Sequence, residues 1–173
     1  MARFDPNEIL DLVGRDRGHA VKFSGGTYSA HPASVLAGKT FLAHLVANEA
    51  TLYPALAHIA RETRVAVTAA FAEEGIPVRF AGDRNDVLPD NSLHMLRVLR
   101  RPNLRLDTPE EVYDPACCDV VLSDEILQLA FLVEDVFTVH GLGAISAAHS
   151  PSDIEFLAAA CRRVARRVKP HLG

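Results

Sequence analysis

Gly141-Leu142-Gly143-Ala144-Ile145-Ser146-Ala147-Ala148-His149-Ser150-Pro151-Ser152-Asp153-Ile154 contains the passage from strand to helix that decides the fold. Glycines bracket its start, and the run Ala144 to Ala148 reads as a short strand. Ser150 then places a hydroxyl at a helix N-cap. Pro151 occupies the first turn, where its missing N–H has no partner to lose, and Asp153 stands three residues after the cap, able to serve the exposed amides. Beyond it Ile154, Leu157, Ala158, Cys161, Val164, Ala165 and Val168 recur at helical spacing and predict one buried stripe. A strand feeding such a helix calls for a sheet beneath it.

The remaining elements follow upstream. Val136 to His140 reads as a second short strand, and Ser123 to about Val136 as a helix, from its apolar positions Ile126, Leu127, Ala130, Leu132, Val133 and Val136. Leu93 to Leu99 and Ile76 to Ala81 alternate and predict two more strands. The link between them, Gly82 to Ser92, carries Asp83, Asp86 and Asp90 but lacks the glycine and terminal glutamate of a calcium loop, so it reads as a solvated turn. Leu52, Leu56, Ile59, Thr63, Val67 and Phe71 mark one face of a helix from about Thr51 to Glu74, with Pro54 in its first turn and Gly75 as its stop. Pro32 to Asn48 predicts another helix, and Pro6 to Val13 a short one. The content is α/β. Its sheet of about four short strands is small, covered by helices and preceded by a long helical pair.

With 49% hydrophobic and 23% charged residues, the 173-residue chain has the composition of a folded globular protein. A formal charge of −4 argues against nucleic-acid binding, which needs an excess of cations to displace counterions. The cluster Arg162, Arg163, Arg166, Arg167 and Lys169 sits at a helix C-terminus, where the dipole favours cations and solvent screens them. No apolar run approaches the roughly 20 residues of a membrane span, and Met1 to Pro6 lacks a signal-peptide core, so a cytoplasmic location is expected. Three cysteines, two adjacent at Cys117 and Cys118, form no disulfide or zinc pattern. Eight histidines show no His-x-x-x-His pair, so no metal is expected, and no Gly-x-Ser-x-Gly elbow supports a hydrolase.

Two ordered segments carry a family resemblance. Gly25-Gly26-Thr27-Tyr28-Ser29-Ala30-His31-Pro32, with the alanine-rich helix after it, is similar to the Gly-Thr-x-Ser-Gly-Asn-Pro segment of class III aminotransferases of the glutamate-1-semialdehyde aminomutase type. Gly141 to Ile154 resembles that family's last strand and last helix start. The resemblance covers only the C-terminal part of the family's longer chain. It implies the C-terminal α+β small domain of the fold type I pyridoxal-phosphate enzymes at 49–173, with residues 1–48 as a remnant of the large-domain edge carrying the glycine-threonine loop and connecting helix, and amino-group transfer by aminomutase or transaminase chemistry. It also implies Gly26 and Thr27 at the cofactor phosphate, where glycine lets backbone N–H groups close on an anion and the hydroxyl adds a donor. The family's catalytic lysine and its ring-nitrogen aspartate lie upstream of the matched region. Lys22, Lys39 and Lys169 do not match the lysine position, so no catalytic residue is assigned and the chain alone is expected to be inactive. The expected partners are a second copy or a separately encoded large domain, with a small amino-acid substrate if the site is completed. Ala30-His31 replaces the family's Gly-Asn, leaving His31 as a helix cap or an active-site side chain. The alternative reading of the whole chain is a non-catalytic small-domain module acting through self-association or partner binding.

Overall fold

Local sequence sets two helices in succession. In the computed structural model, which describes residues 31–83, 91–139, 141 and 143–172, helix α1 spans Pro32–Ala47 and helix α2 spans Glu49–Ala72. The chain divides into two units, Met1–Ala47 and Asn48–Gly173. Within the first, α1 begins on the proline that favours a first turn, and none of its residues is buried. The predicted helix Pro6 to Val13 lies outside the described residues.

In the second unit α2 starts two residues before its predicted Thr51. Pro54 therefore falls beyond the first turn, where it removes one backbone hydrogen bond without ending the helix. The helix closes as expected at Gly75, whose φ of +77° is the left-handed conformation that glycine adopts freely. Its buried residues Ala60, Thr63, Val67, Ala70 and Phe71 lie on one face.

Strand β1, Val78–Phe80, pairs antiparallel with β3, Leu96–Val98, in the register Val78 to Val98 and Phe80 to Leu96. The predicted strand Leu93 to Leu99 is broken at Met95. Its first part, β2 at Leu93–His94, pairs with β4 at Gly143–Ala144. The expected four-stranded sheet is thus two separate two-stranded sheets. Val136 to Thr138 has no regular structure, so the strand predicted over Val136 to His140 is corrected; His140 itself lies outside the described residues. Ala144 to Ala148 is strand only at Ala144, because Ser146 to His149 closes into a turn.

A helix missed in the sequence, α3 at Pro109–Tyr113, is set by a Thr108-x-x-Glu111 capping box. Glu111 N–H donates to Thr108 Oγ1 at 3.4 Å, and Thr108 N–H donates to Glu111 Oε2 at 3.1 Å. The helix predicted over Ser123 to about Val136 begins earlier, passes through a π-helical turn at Leu122–Ile126, continues as α4, Leu127–Leu132, and stops short of Val136. Ser123 fastens this turn to β3. Its hydroxyl donates to Asp119 O at 2.6 Å and accepts from Val98 N–H at 3.0 Å.

Helix α5, Pro151–Val168, follows its predicted cap and stripe, with Ala158, Cys161, Val164, Ala165 and Val168 buried. It packs along α2, and Phe71, Ile76, Phe80, Leu96, Val98 and Phe131 complete the principal core. Each large apolar side chain buried there contributes about 1.5–3 kcal/mol relative to exposure. A second cluster, Leu99, Leu106, Val112 and Cys118, lies under α3. The described architecture is α+β, with helices and small antiparallel sheets. No described helix is long and apolar enough to cross a membrane.

Candidate functional site

Of the residues singled out in the first motif, Gly26 and Thr27 lie outside the described residues. His31 is described, at the residue preceding α1. Ser34 N–H donates to its Nδ1 at 3.4 Å, and Ser34 Oγ stands 3.2 Å from the same atom. Ser34 is the third residue of α1, so the imidazole takes the place of a capping side chain.

The second motif organises a junction. Gly141, at φ +95°, lies so close to the β2–β3 backbone that a Cβ would stand 2.9 Å from Leu96 N and 3.0 Å from Met95 Cα. This contact sets β4 beside His94. Beyond β4, Ser146 N–H donates to His149 Nδ1 at 2.9 Å, which leaves the proton of a neutral imidazole on Nε2. Asp153 Oδ2 accepts from Ser150 N–H and Ser150 Oγ, each at 2.7 Å. Those two bonds hold the Asp153 carboxyl below its usual range.

His94 is the buried histidine of this junction, 3% exposed, with neither ring nitrogen hydrogen-bonded among the described residues. Its ring lies 5.0 Å from that of Phe80. Burial, helped by the charge of Arg64, pushes its pKa down to about 4, so it is neutral at pH 7. Arg64 is held by main-chain carbonyls, donating from Nη2 to Asn91 O at 2.7 Å and Leu93 O at 3.3 Å.

A second buried charge, Arg97, is 1% exposed and pairs with Asp124 from the π-helical turn. Its guanidinium lies 4.7 Å from the Tyr113 ring centre. The sequence signal for this group was weak, because an arginine in a strand pattern reads as solvent-facing and nothing local links it to Asp124.

Two of the grooves among the described residues lie at the start of α5. One, of about 260 Å³, is lined by Thr63, Asp135, Phe137, Ile145, His149 and Phe156, among others. The second, of about 330 Å³, lies between α2 and the start of α5, with Ile59, Ala66, Pro151 and Ile154 in its wall. Pyridoxal phosphate, which the resemblance implies, needs a lysine amine beside the site. Lys39 stands exposed on α1 and Lys169 pairs with Glu74 at 3.3 Å. Neither lines a groove described here, and Lys22 lies outside the described residues. The described residues therefore do not fit the cofactor by themselves.

The thiols do not supply a nucleophile. Burial pushes Cys161 up to about 12 and raises Cys117 and Cys118 as well, so the thiolate is scarce at neutral pH. Among the described residues, no three His, Cys, Asp or Glu side chains gather as metal ligands. No family model, curated protein or solved structure matches the chain.

Proposed function

We propose that this chain is the C-terminal portion of a pyridoxal-phosphate-dependent aminotransferase or aminomutase of the glutamate-1-semialdehyde aminomutase type, working in the cytoplasm. The observation that carries the reading is the sequence order of its two motifs, Gly25 to Pro32 and Gly141 to Ile154, the second of which contributes β4 to the short antiparallel strands. In this reading Gly26 and Thr27 serve the cofactor phosphate, while the lysine and the ring-nitrogen carboxylate come from a large domain outside these 173 residues. The partner is that large domain or a second copy, and the substrate is a small amino acid.

The coding sequence adjoining the Met1 codon tests the assignment directly. An in-frame or neighbouring aminotransferase large domain is the expected result, and unrelated sequence on that side refutes it. The incompleteness of the site is tested separately by incubating the chain with pyridoxal phosphate, reducing with borohydride and mapping modified lysines. Scattered, substoichiometric modification without turnover is expected. One stoichiometric lysine with transaminase turnover overturns the view that these residues lack a complete catalytic site.

A specific observation also favours the second reading, a self-associating module. Val35, Leu36, Phe41, Leu42 and Val46 of α1 are each 58–67% exposed, an apolar surface of the kind that drives association. Sedimentation over a wide concentration range decides this, because a strictly monomeric species excludes it.

A further inference from the structure

The two ends of α5 differ in how their surroundings are neutralised. At the C-terminal end every cation is matched: Arg162 pairs with Glu73, Arg163 and Arg167 with Glu134, and Arg166 and Lys169 with Glu74. At the N-terminal end the balance is reversed. Glu62, Asp135 and Glu155 are exposed carboxylates with no ion-pair partner among the described residues, and Asp153 is bonded only to Ser150. All four line the two grooves, and among the described residues no lysine or arginine does.

The grooves share Ile154 in their walls. On the α2 side His58, Ile59, Glu62, Val65 and Ala66 lie at helical spacing on one face, and His58 to Ala66 spans about 12 Å at 1.5 Å per residue. That length matches roughly four residues of extended peptide. Ile59, Ala66, Ile154, Leu157 and Phe156 give apolar walls, and the four carboxylates stand around them. An apolar channel with an unneutralised acidic rim is complementary to an apolar anchor flanked by cations.

We propose that the two grooves meeting at Ile154 form one docking cleft for a cationic amphipathic segment of a partner protein, a short stretch with Lys or Arg on either side of a large apolar residue. The apolar anchor sits against Ile154 and Leu157, and its flanking cations face Glu62 and Glu155 on one side and Asp135 and Asp153 on the other. This inference is independent of the cofactor reading, since it uses none of the residues assigned to the phosphate.

The test uses the full chain and fluorescein-labelled peptides KLFKLK and ELFELE, with binding read by anisotropy at low and high salt. Binding of the lysine peptide, weakening with salt, and none of the glutamate peptide is expected. Glu62→Gln and Glu155→Gln, both at exposed positions, each weaken binding about two- to fivefold, whereas Glu110→Gln on α3 leaves it unchanged. Ile154→Ser, checked for folding by circular dichroism, removes the anchor contact and weakens binding further. The proposal is overturned if the lysine peptide does not bind, if both peptides bind alike, or if the Glu62→Gln/Glu155→Gln double variant binds as the parent does.

Discussion

Replacing Gly141 by alanine tests the junction that joins the last motif to the small sheets. Two penalties act together. At φ +95° an L-residue is strained, by about 1–2 kcal/mol for left-handed backbone, partly offset by the 0.4–1 kcal/mol or so that alanine gains by restricting the unfolded chain. The added Cβ then meets Leu96 N at 2.9 Å, Met95 Cα at 3.0 Å and His94 O at 3.3 Å. All three are backbone atoms, of β2, of β3 and of Met95 between them, and cannot rotate aside, so overpacking adds about 1–3 kcal/mol. The net loss is about 2–4 kcal/mol, a large share of the roughly 5–15 kcal/mol that stabilises a typical domain. Gly75→Ala is the matched control, since its φ of +77° carries the strain but open space surrounds its Cβ, and it loses about 1 kcal/mol. The chain has no tryptophan, so urea unfolding is followed by far-ultraviolet circular dichroism, with ΔG read from midpoints at unchanged slope. If Gly141→Ala loses no more than Gly75→Ala, the close approach of this loop to β2 and β3 is wrong.

Other perturbations probe the buried charges. Because the folded pKa of His94 lies near 4, below its unfolded value of 6.5, the unfolded chain binds the proton first as pH falls; stability is complete above pH 6.5 and declines toward pH 4. Between pH 6.5 and 5, above the range where the carboxylates titrate, the loss is about 1.5–2 kcal/mol, and His94→Leu flattens that part of the urea midpoint against pH curve. Asp124→Asn leaves the Arg97 guanidinium without its anion and costs about 2–3 kcal/mol, less than a fully buried pair because Asp124 is 36% exposed. The double variant Arg97→Met/Asp124→Leu is expected to be more stable than Asp124→Asn in the same urea titration, since no uncompensated charge remains. Glu134, held below its usual pKa by hydrogen bonds first from Arg163 and then from Arg167, ties α5 to the end of α4; Glu134→Gln lowers the melting temperature at low salt, and the difference fades at high salt.

What could be read in advance divides along physical lines. Local chemistry was legible: Pro32 and Pro151 open their helices, Gly75 ends one, and the 3.6-residue stripe from Ala158 to Val168 is the buried face of α5. Thr108-Pro109-Glu110-Glu111 was equally legible as a capping box, and was missed because its helix is too short to show periodicity. Strand pairing was less legible, because partners are chosen in space. Met95 interrupts one run so that His94 pairs toward Gly143 while Leu96 pairs toward Phe80, and nothing in Leu93 to Leu99 marks that division. Burial of charge was the least legible, since Arg97 and Asp124 are far apart in sequence and His94 is buried by contacts from separate elements. The same distinction bears on the basic end of α5. Its sequence explanation, solvated cations on a helix dipole, is incomplete: Glu73 and Glu74 at the end of α2 and Glu134 after α4 meet those arginines and Lys169 directly. The cations therefore fasten three elements at one end of α5, and their complement of acid leaves the opposite end, around Ile154, with carboxylates that the described protein does not neutralise.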